Sequence, residues 1–171
     1  MVTTMIRQVT LQDAGEIAAI YNHYIEHTTI TFEESCLTAL DLSARIDELT
    51  SRNYPWLVYE VDGRVAGYAY ATPWRTRAAY RFTVESAVYV DQARVGSGIG
   101  SQLYRKLFEE LAENDFKTVL GLIALPNEQS VRMHEKFGFL PVGHHREVGF
   151  KFDQWIDVGV WQLMLASLAD R

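Results

Sequence analysis

Glu85-Ser-Ala-Val-Tyr-Val-Asp-Gln-Ala-Arg-Val-Gly-Ser-Gly-Ile-Gly-Ser101 reads as a strand, a glycine-dense turn and the opening of an amphipathic helix. Ala87, Tyr89 and Asp91 alternate with Val88 and Val90, the period-2 pattern of a strand rich in β-branched and aromatic residues. Leu103, Leu107, Phe108 and Leu111 then recur at helical spacing, so a helix follows directly. The free N–H groups of its first turn, around Gly98 to Ser101, point back into the loop. Gly96, Gly98 and Gly100 have no side chains to hold a ligand off the backbone, and a helix N-terminus favours negative charge. The run Gly96, Ser97, Gly98, Ile99, Gly100, Ser101 is therefore a cradle for a pyrophosphate.

Two familiar pyrophosphate sites do not fit. The glycines run G-x-G-x-G and end in Ser101, so the dinucleotide pattern G-x-G-x-x-G fails at its last place, and the loop lies mid-chain without the usual early βαβ setting. No Gly-Lys-Ser/Thr ending follows, so the lysine of a P-loop nucleotide hydrolase is missing.

Outward from the loop, the pattern is a mixed α/β sheet. Ile6 to Val9 reads as a strand. Thr10-x-x-Asp13 then caps a helix with Ile17, Ile20, Tyr21 and Tyr24 on one face. Thr38-x-x-Asp41 caps a second helix, with Leu42, Ile46 and Leu49 buried. Trp56 to Val61 and Val65 to Ala71 are strands joined by Asp62-Gly63, a strong hairpin signal. After a loop from Pro73 to Ala79 comes the strand into the glycine turn, with Glu85 just before its cofactor-facing part, then the helix to about Asn114 and a strand from Val119 to Ile123. The helix between those two strands makes them parallel, joined by a right-handed crossover. A helix from Glu128 to Phe137 leads into strands at about Leu140 to Phe150 and Val158 to Leu165.

The chain has 171 residues, 48% of them hydrophobic, which suits one domain over 1–171 with a substantial core. The net charge of −6 argues against a nucleic-acid partner, whose footprint is a basic excess, and favours small ligands. A lone Cys36 rules out an internal disulfide, and Met1 to Arg7 lacks the apolar core of a signal peptide. No apolar run is long enough to span a bilayer, so the expectation is a cytoplasmic protein without a membrane partner.

Taken with its surroundings, the glycine segment resembles motif A of the GCN5-related N-acetyltransferases, whose loop binds the pyrophosphate of acetyl-coenzyme A. One position departs: Val95 stands where that family usually has Gln or Arg. A second segment, Asn127-x-x-Ser130-x-x-x-His134-Glu-Lys-Phe-Gly-Phe139, resembles the part of these enzymes where Asn opens a helix beside the pantetheine arm. The resemblance implies cofactor contacts from Asn127 and Ser130. It also implies a mostly antiparallel twisted sheet whose two parallel strands splay apart at the cofactor site. A bulge in the first of them would aim the N–H groups of Val88, Tyr89 and Val90 at the thioester carbonyl.

Over nearly the whole chain the sequence resembles phosphinothricin acetyltransferases and their methionine sulfoximine and methionine sulfone relatives. Asn22-His-Tyr-Ile-Glu26, Thr31-Phe32, Trp74 to Tyr80, Thr83-Val-Glu-Ser86, Leu125-Pro-Asn127, Ser130 to Glu135, Gly149-Phe-Lys151 and Trp155-x-Asp-Val-Gly159 carry that resemblance. It implies Glu85 and His134 as the acid/base pair, and places Arg75, Thr76, Arg77, Glu85, Ser86 and Ala87 at the amino-acid substrate. Family members are commonly homodimers, and Trp155 to Trp161 is apolar enough for an interface or for a core strand.

Chemistry asks independently for a base near Glu85, because an ammonium cannot attack a thioester until it loses a proton. His134 titrates near neutrality and so can exchange protons, whereas in isolation it would read as a half-exposed helix histidine. Arg75, Arg77 and Arg81 are the only charges between Gly67 and Val84; guanidinium forks suit carboxylate and phosphinate oxygens, and equally form a solvated loop. Phe32 reads as a substrate wall or as core. His23-Tyr-Ile-Glu-His27 matches the H-x-x-E-H zinc motif, but its helix is a core element through Ile17, Ile20 and Tyr24 and no distant third ligand stands out. The expectation is thus an acetyl-CoA-dependent N-acetyltransferase for a small amino-acid analogue, without a metal. The alternatives are an acetyltransferase for another small amine or a peptide N-terminus, and a CoA-binding sensor without catalysis.

Overall fold

The computed structural model describes residues 2–165, so Met1 and residues 166–171 of the expected 1–171 domain lie outside it. Seven strands form one sheet: β1 (Thr4–Gln8), β2 (Trp56–Val61), β3 (Arg64–Pro73), β4 (Thr83–Val90), β5 (Thr118–Leu125), β6 (Leu140–Lys151) and β7 (Gln154–Met164), in the order β1-β2-β3-β4-β5-β7-β6. The helices are α1 (Ala14–His27), α2 (Ala39–Ser51), α3 (Ile99–Glu113) and α4 (Glu128–Lys136). Every neighbouring pair is antiparallel except β4 and β5, which the α3 crossover makes parallel.

Local chemistry sets most boundaries. Asp62 and Gly63 both take positive φ, 49° and 78°, the type I′ combination whose twist matches the flanking strands. Thr38 and Asp41 exchange side-chain and backbone hydrogen bonds of 2.8 and 3.2 Å at the start of α2. The Thr10 signal works through a 3-10 turn over Leu11–Asp13: the Asp13 carboxylate accepts from the Thr10 N–H at 2.7 Å, and α1 starts one residue later.

Among the boundaries that differ from the sequence reading, two matter most. β4 starts at Thr83, after a 3-10 turn over Ala78–Tyr80, so Glu85 lies two residues inside the strand rather than opening it. β7 starts at Gln154, four residues early, because Phe152 and Asp153 make a turn at φ 52° and 58° without any glycine to announce it.

The sheet carries a hydrophobic core on each face. On the first, α1 and α2 pack through Ile17, Ile25, Leu42 and Ile46 against Trp56, Val58 and Tyr68. On the second, α3 packs through Leu103, Leu107, Phe108 and Leu111 against Leu57, Ala69, Val84 and Val119. The apolar run Trp155 to Trp161 divides: Trp155 is 64% exposed, whereas Trp161 belongs to the second core. Among the described residues no helix is long and apolar enough to cross a membrane.

Candidate active site

The site begins where β4 and β5 part. Their parallel pairing covers only Thr83, Val84 and Glu85, opposite Thr118, Val119 and Leu120. Beyond it β4 stays paired to β3 and β5 to β7, which opens a gap between the parallel strands. The β3–β4 register runs from Val84 to Val90 without a shift, so this ladder contains no bulge, contrary to the expectation. The gap supplies donors without one. Phe82 O accepts from Thr118 N–H on β5, and Asp91 N–H donates to Ala66 O on the β3 side. Strand alternation therefore turns the N–H groups of Val88 and Val90 into the gap and that of Tyr89 towards β3.

The glycine loop closes the mouth of the gap. Gly96 and Gly98 both sit at φ 85°, a conformation that side chains strain to adopt, and a Cβ on either would meet nothing within 4 Å. Gly100 differs: it is helical, and a Cβ there would make ordinary contacts with Val88, Val90 and Met133. The first helical bond of α3 runs from Gln102 N–H to Gly98 O, so the amides of Ile99, Gly100 and Ser101 lack a helical partner. Open space over two αL glycines and a row of unpaired amides fits a pyrophosphate. Gly67 seats this helix on β3, since a Cβ there would fall 3.0 Å from Ile99 and 3.1 Å from Tyr89 O. Sequence reading missed Gly67, whose isolated place in a strand was its only signal.

Glu85 and His134 approach the gap from opposite faces. Glu85 lies opposite Thr72 of β3, on the α1/α2 face, and burial pushes its carboxyl above the ordinary value. Tyr21, Tyr24, Tyr68, Tyr70 and Tyr89 share that face; Tyr21 and Tyr24 meet the Tyr89 ring edge-on at 4.9 and 5.2 Å. Ala87 lies opposite Tyr70. His134 is 4% exposed, not half-exposed, and is covered on the α3/α4 face. Its Nδ1 is 2.7 Å from Ser130 O, its Nε2 3.4 Å from the Tyr104 hydroxyl, and that hydroxyl accepts from Ser86 Oγ at 3.4 Å. Burial holds the imidazole below its usual pKa, with the Ser130 hydrogen bond opposing. Asn127 caps α4, its Oδ1 accepting from Ser130 N–H at 3.1 Å.

The remaining expected residues do not converge as closely. Arg75, Thr76, Arg77 and Arg81 lie on the exposed β3–β4 connection, with Arg75 over the Trp74 ring at 4.7 Å and Arg81 over Phe82 at 4.5 Å. Phe32 is neither core nor free: it is 39% exposed and packs flat on Gly149 of β6, where a Cβ would clash at 2.3 Å. The buried Lys151 ammonium donates to Thr31 O at 2.8 Å and fixes the same loop. An open groove of about 410 Å³ runs between His27 to Ile30, Ala124 near the end of β5, Asn127 at the start of α4, and Phe152. His23 and His27 share a helical face with ring centroids 4.9 Å apart, but among the described residues no group of three or more His, Cys, Asp or Glu could hold a metal.

This arrangement has counterparts among known proteins. The family model described as "Acetyltransferase (GNAT) domain" matches residues 6–160. The chain belongs to the GNAT acetyltransferase family. It is 45% identical over 157 residues to the phosphinothricin N-acetyltransferase of Streptomyces viridochromogenes, covering 92% of this chain and 85% of that one. To the L-methionine sulfoximine/L-methionine sulfone acetyltransferase of Salmonella typhimurium it is 33% identical over 160 residues, 94% of each chain. The crystal structure of a GNAT superfamily phosphinothricin acetyltransferase from Sinorhizobium meliloti, in complex with AcCoA, superposes with a TM-score of 0.91 at 30% identity, covering 95% of this chain and 88% of that one. This GNAT chain is an N-acetyltransferase, and its mixed sheet with one parallel pair, β4–β5, goes with that likeness to a solved GNAT structure.

Proposed function

We propose that the enzyme transfers acetyl from acetyl-CoA to the α-amine of a small amino-acid analogue, with phosphinothricin, L-methionine sulfoximine and L-methionine sulfone as the leading acceptors. The observation that carries the chemistry is the placement of a desolvated carboxyl, Glu85, at the last paired position before the gap. When bound, the thioester supplies the acetyl carbon and a thiolate leaving group. Gly96, Ser97, Gly98, Ile99, Gly100 and Ser101 hold the pyrophosphate through backbone amides, and Asn127 and Ser130 border the pantetheine arm. The N–H groups of Val88 and Val90 face the carbonyl, while Tyr89 holds the strand through β3 and its packed ring.

Glu85 takes a proton from the incoming ammonium, directly or through water, and its raised proton affinity suits that task. His134 exchanges the proton that the departing thiolate needs. Phe32, Ser86 and Ala87 border the acceptor, and Arg75, Thr76 and Arg77 supply its carboxylate or head group with donors from the rim. No step requires a metal. The exposed apolar residues Val148, Phe150, Phe152 and Trp155 on the β6–β7 hairpin support a homodimer, and the single exposed Cys36 suits a reducing cytoplasm.

A thiol-release assay with acetyl-CoA and a panel of acceptors tests the assignment. All three analogues should be turned over, with spermidine and a peptide N-terminus poor acceptors. Turnover of the peptide or polyamine with none of the three would defeat the small amino-acid reading.

A further inference from the structure

The imidazole of His134 has two hydroxyl neighbours, Ser130 Oγ at 3.4 Å from Nδ1 and the Tyr104 hydroxyl at 3.4 Å from Nε2. Its Nδ1 faces a carbonyl oxygen, which only accepts, so in the neutral ring Nδ1 carries the proton and donates to Ser130 O at 2.7 Å. Nε2 is then the bare nitrogen. The backbone of Gly121 on β5 closes over that edge, since a Cβ at position 121 would lie 2.6 Å from both Cδ2 and Nε2. Phe139 meets the ring edge-on at 5.0 Å and Tyr104 at 5.4 Å. At Nε2 the Tyr104 hydroxyl, at 3.4 Å, is the proton partner among the described residues.

That hydroxyl is itself confined. Tyr104 is 1% exposed, packed against Phe108 and Phe137, and its oxygen accepts from Ser86 Oγ at 3.4 Å. Ser86 is the first β4 residue beyond the paired stretch, next in sequence to Glu85. The row therefore starts at the apex of the gap and ends at the histidine, with every member buried.

We propose that His134 exchanges protons with the gap through Tyr104 and Ser86, and that Tyr104 is the positioning residue which conducts them. The inference rests on the reading of His134 as an acid/base group. Taking up a proton, Ser86 Oγ receives one from the gap and passes its own to Tyr104, which passes its own to Nε2; one O–H bond forms and one breaks at each oxygen, and the ring becomes imidazolium. The reverse sequence delivers one proton to the thiolate. Tyr104 on α3 is the titratable group facing the ring, Glu85 on β4 lies beyond it, and the surfaces from β5 and Phe139 are uncharged.

Tyr104→Phe keeps the ring contacts and removes the hydroxyl. Its kcat should fall by about tenfold or more, with KM for acetyl-CoA changed less than about twofold. Because the lost hydrogen bond favoured the neutral imidazole, the His134 midpoint read by NMR should rise. Ser86→Ala should also slow kcat, and the double variant should be no slower than Tyr104→Phe alone, since both break one path. Wild-type kcat in Tyr104→Phe, an unmoved His134 midpoint, or multiplying losses in the double variant would each overturn the relay; if Tyr104→Phe does not fold, wild-type kcat in Ser86→Ala does so. His134→Ala separates the two claims: slow turnover there beside a fully active Tyr104→Phe removes the relay alone, whereas full turnover in His134→Ala removes the acid/base reading beneath it.

Discussion

Glu85 and His134 flank one opening in the sheet from opposite faces, and burial acts on them with opposite signs. Water loss disfavours the charged form of each, so it raises the carboxyl and lowers the imidazole. The carboxyl gains affinity for a proton and becomes a better base. The imidazolium becomes a stronger acid. Burial alone thus suits the two groups to the complementary roles proposed for them, without a charge–charge contact between them. Their surroundings differ in kind. Glu85 faces tyrosines and the groove side of the sheet, whereas His134 is walled by Gly121, Phe139 and Tyr104.

The largest expected effect is at Glu85, the proposed base. Glu85→Gln keeps shape and volume, so turnover should fall by about 10²-fold or more with acetyl-CoA affinity preserved. Calorimetric titration beside steady-state rates checks both parts. Gly98→Val, which forces a β-branched residue to φ 85° in the cradle, should do the reverse and weaken acetyl-CoA binding while leaving the core intact.

Stability gives the next largest contrast. A carboxyl whose folded pKa is raised favours folding relatively below its unfolded pKa, and that contribution is lost as pH rises through the folded value. Glu85→Gln should therefore raise Tm at neutral and alkaline pH and lose this advantage in acid. His134, with a lowered folded pKa, supports the fold above the unfolded value near 6.5, and this support is lost as pH falls through the folded value. Replacing it should flatten the acid side of the Tm–pH curve. Opposite slopes in either variant would contradict the burial argument.

The smallest expected effect is at Arg77. Its exposed position predicts a change in kcat/KM for phosphinothricin of only about fivefold in Arg77→Ala, with the uncharged sulfone less affected. An equal loss on both substrates would remove head-group recognition from this loop.

How much of this was legible in the sequence depends on whether the information is local. The Asp62-Gly63 turn, the Thr38 cap and the helix after Gly98 follow from adjacent residues, and they appear where expected. The turns at Ala78–Tyr80 and Phe152–Asp153 carry no Gly or Pro, so tertiary packing fixes them and the starts of β4 and β7 escaped notice. The burial of His134 was hidden for a similar reason. α4 is polar overall, and the space that admits the imidazole is a missing side chain on another element, at Gly121. Tyr104 sits among the buried residues of α3 and carries no local signal of its own. The role proposed for it depends on two partners, 18 and 30 residues away in the chain. The backbone geometry of the Gly96 to Ser101 turn was legible because glycines and a helix start announce it locally; the placing of the arginines was not, because where a long exposed side chain points is not written locally.

The pH dependence of kcat/KM, compared between wild type and Glu85→Gln with phosphinothricin as acceptor, tests the central claim most directly. The wild-type profile should rise through an acid-side group titrating above an ordinary glutamate carboxyl, and the Glu85→Gln profile, far lower throughout, should lack that limb. A Glu85→Gln enzyme with near-normal rates and the same acid limb would show that Glu85 is not the base.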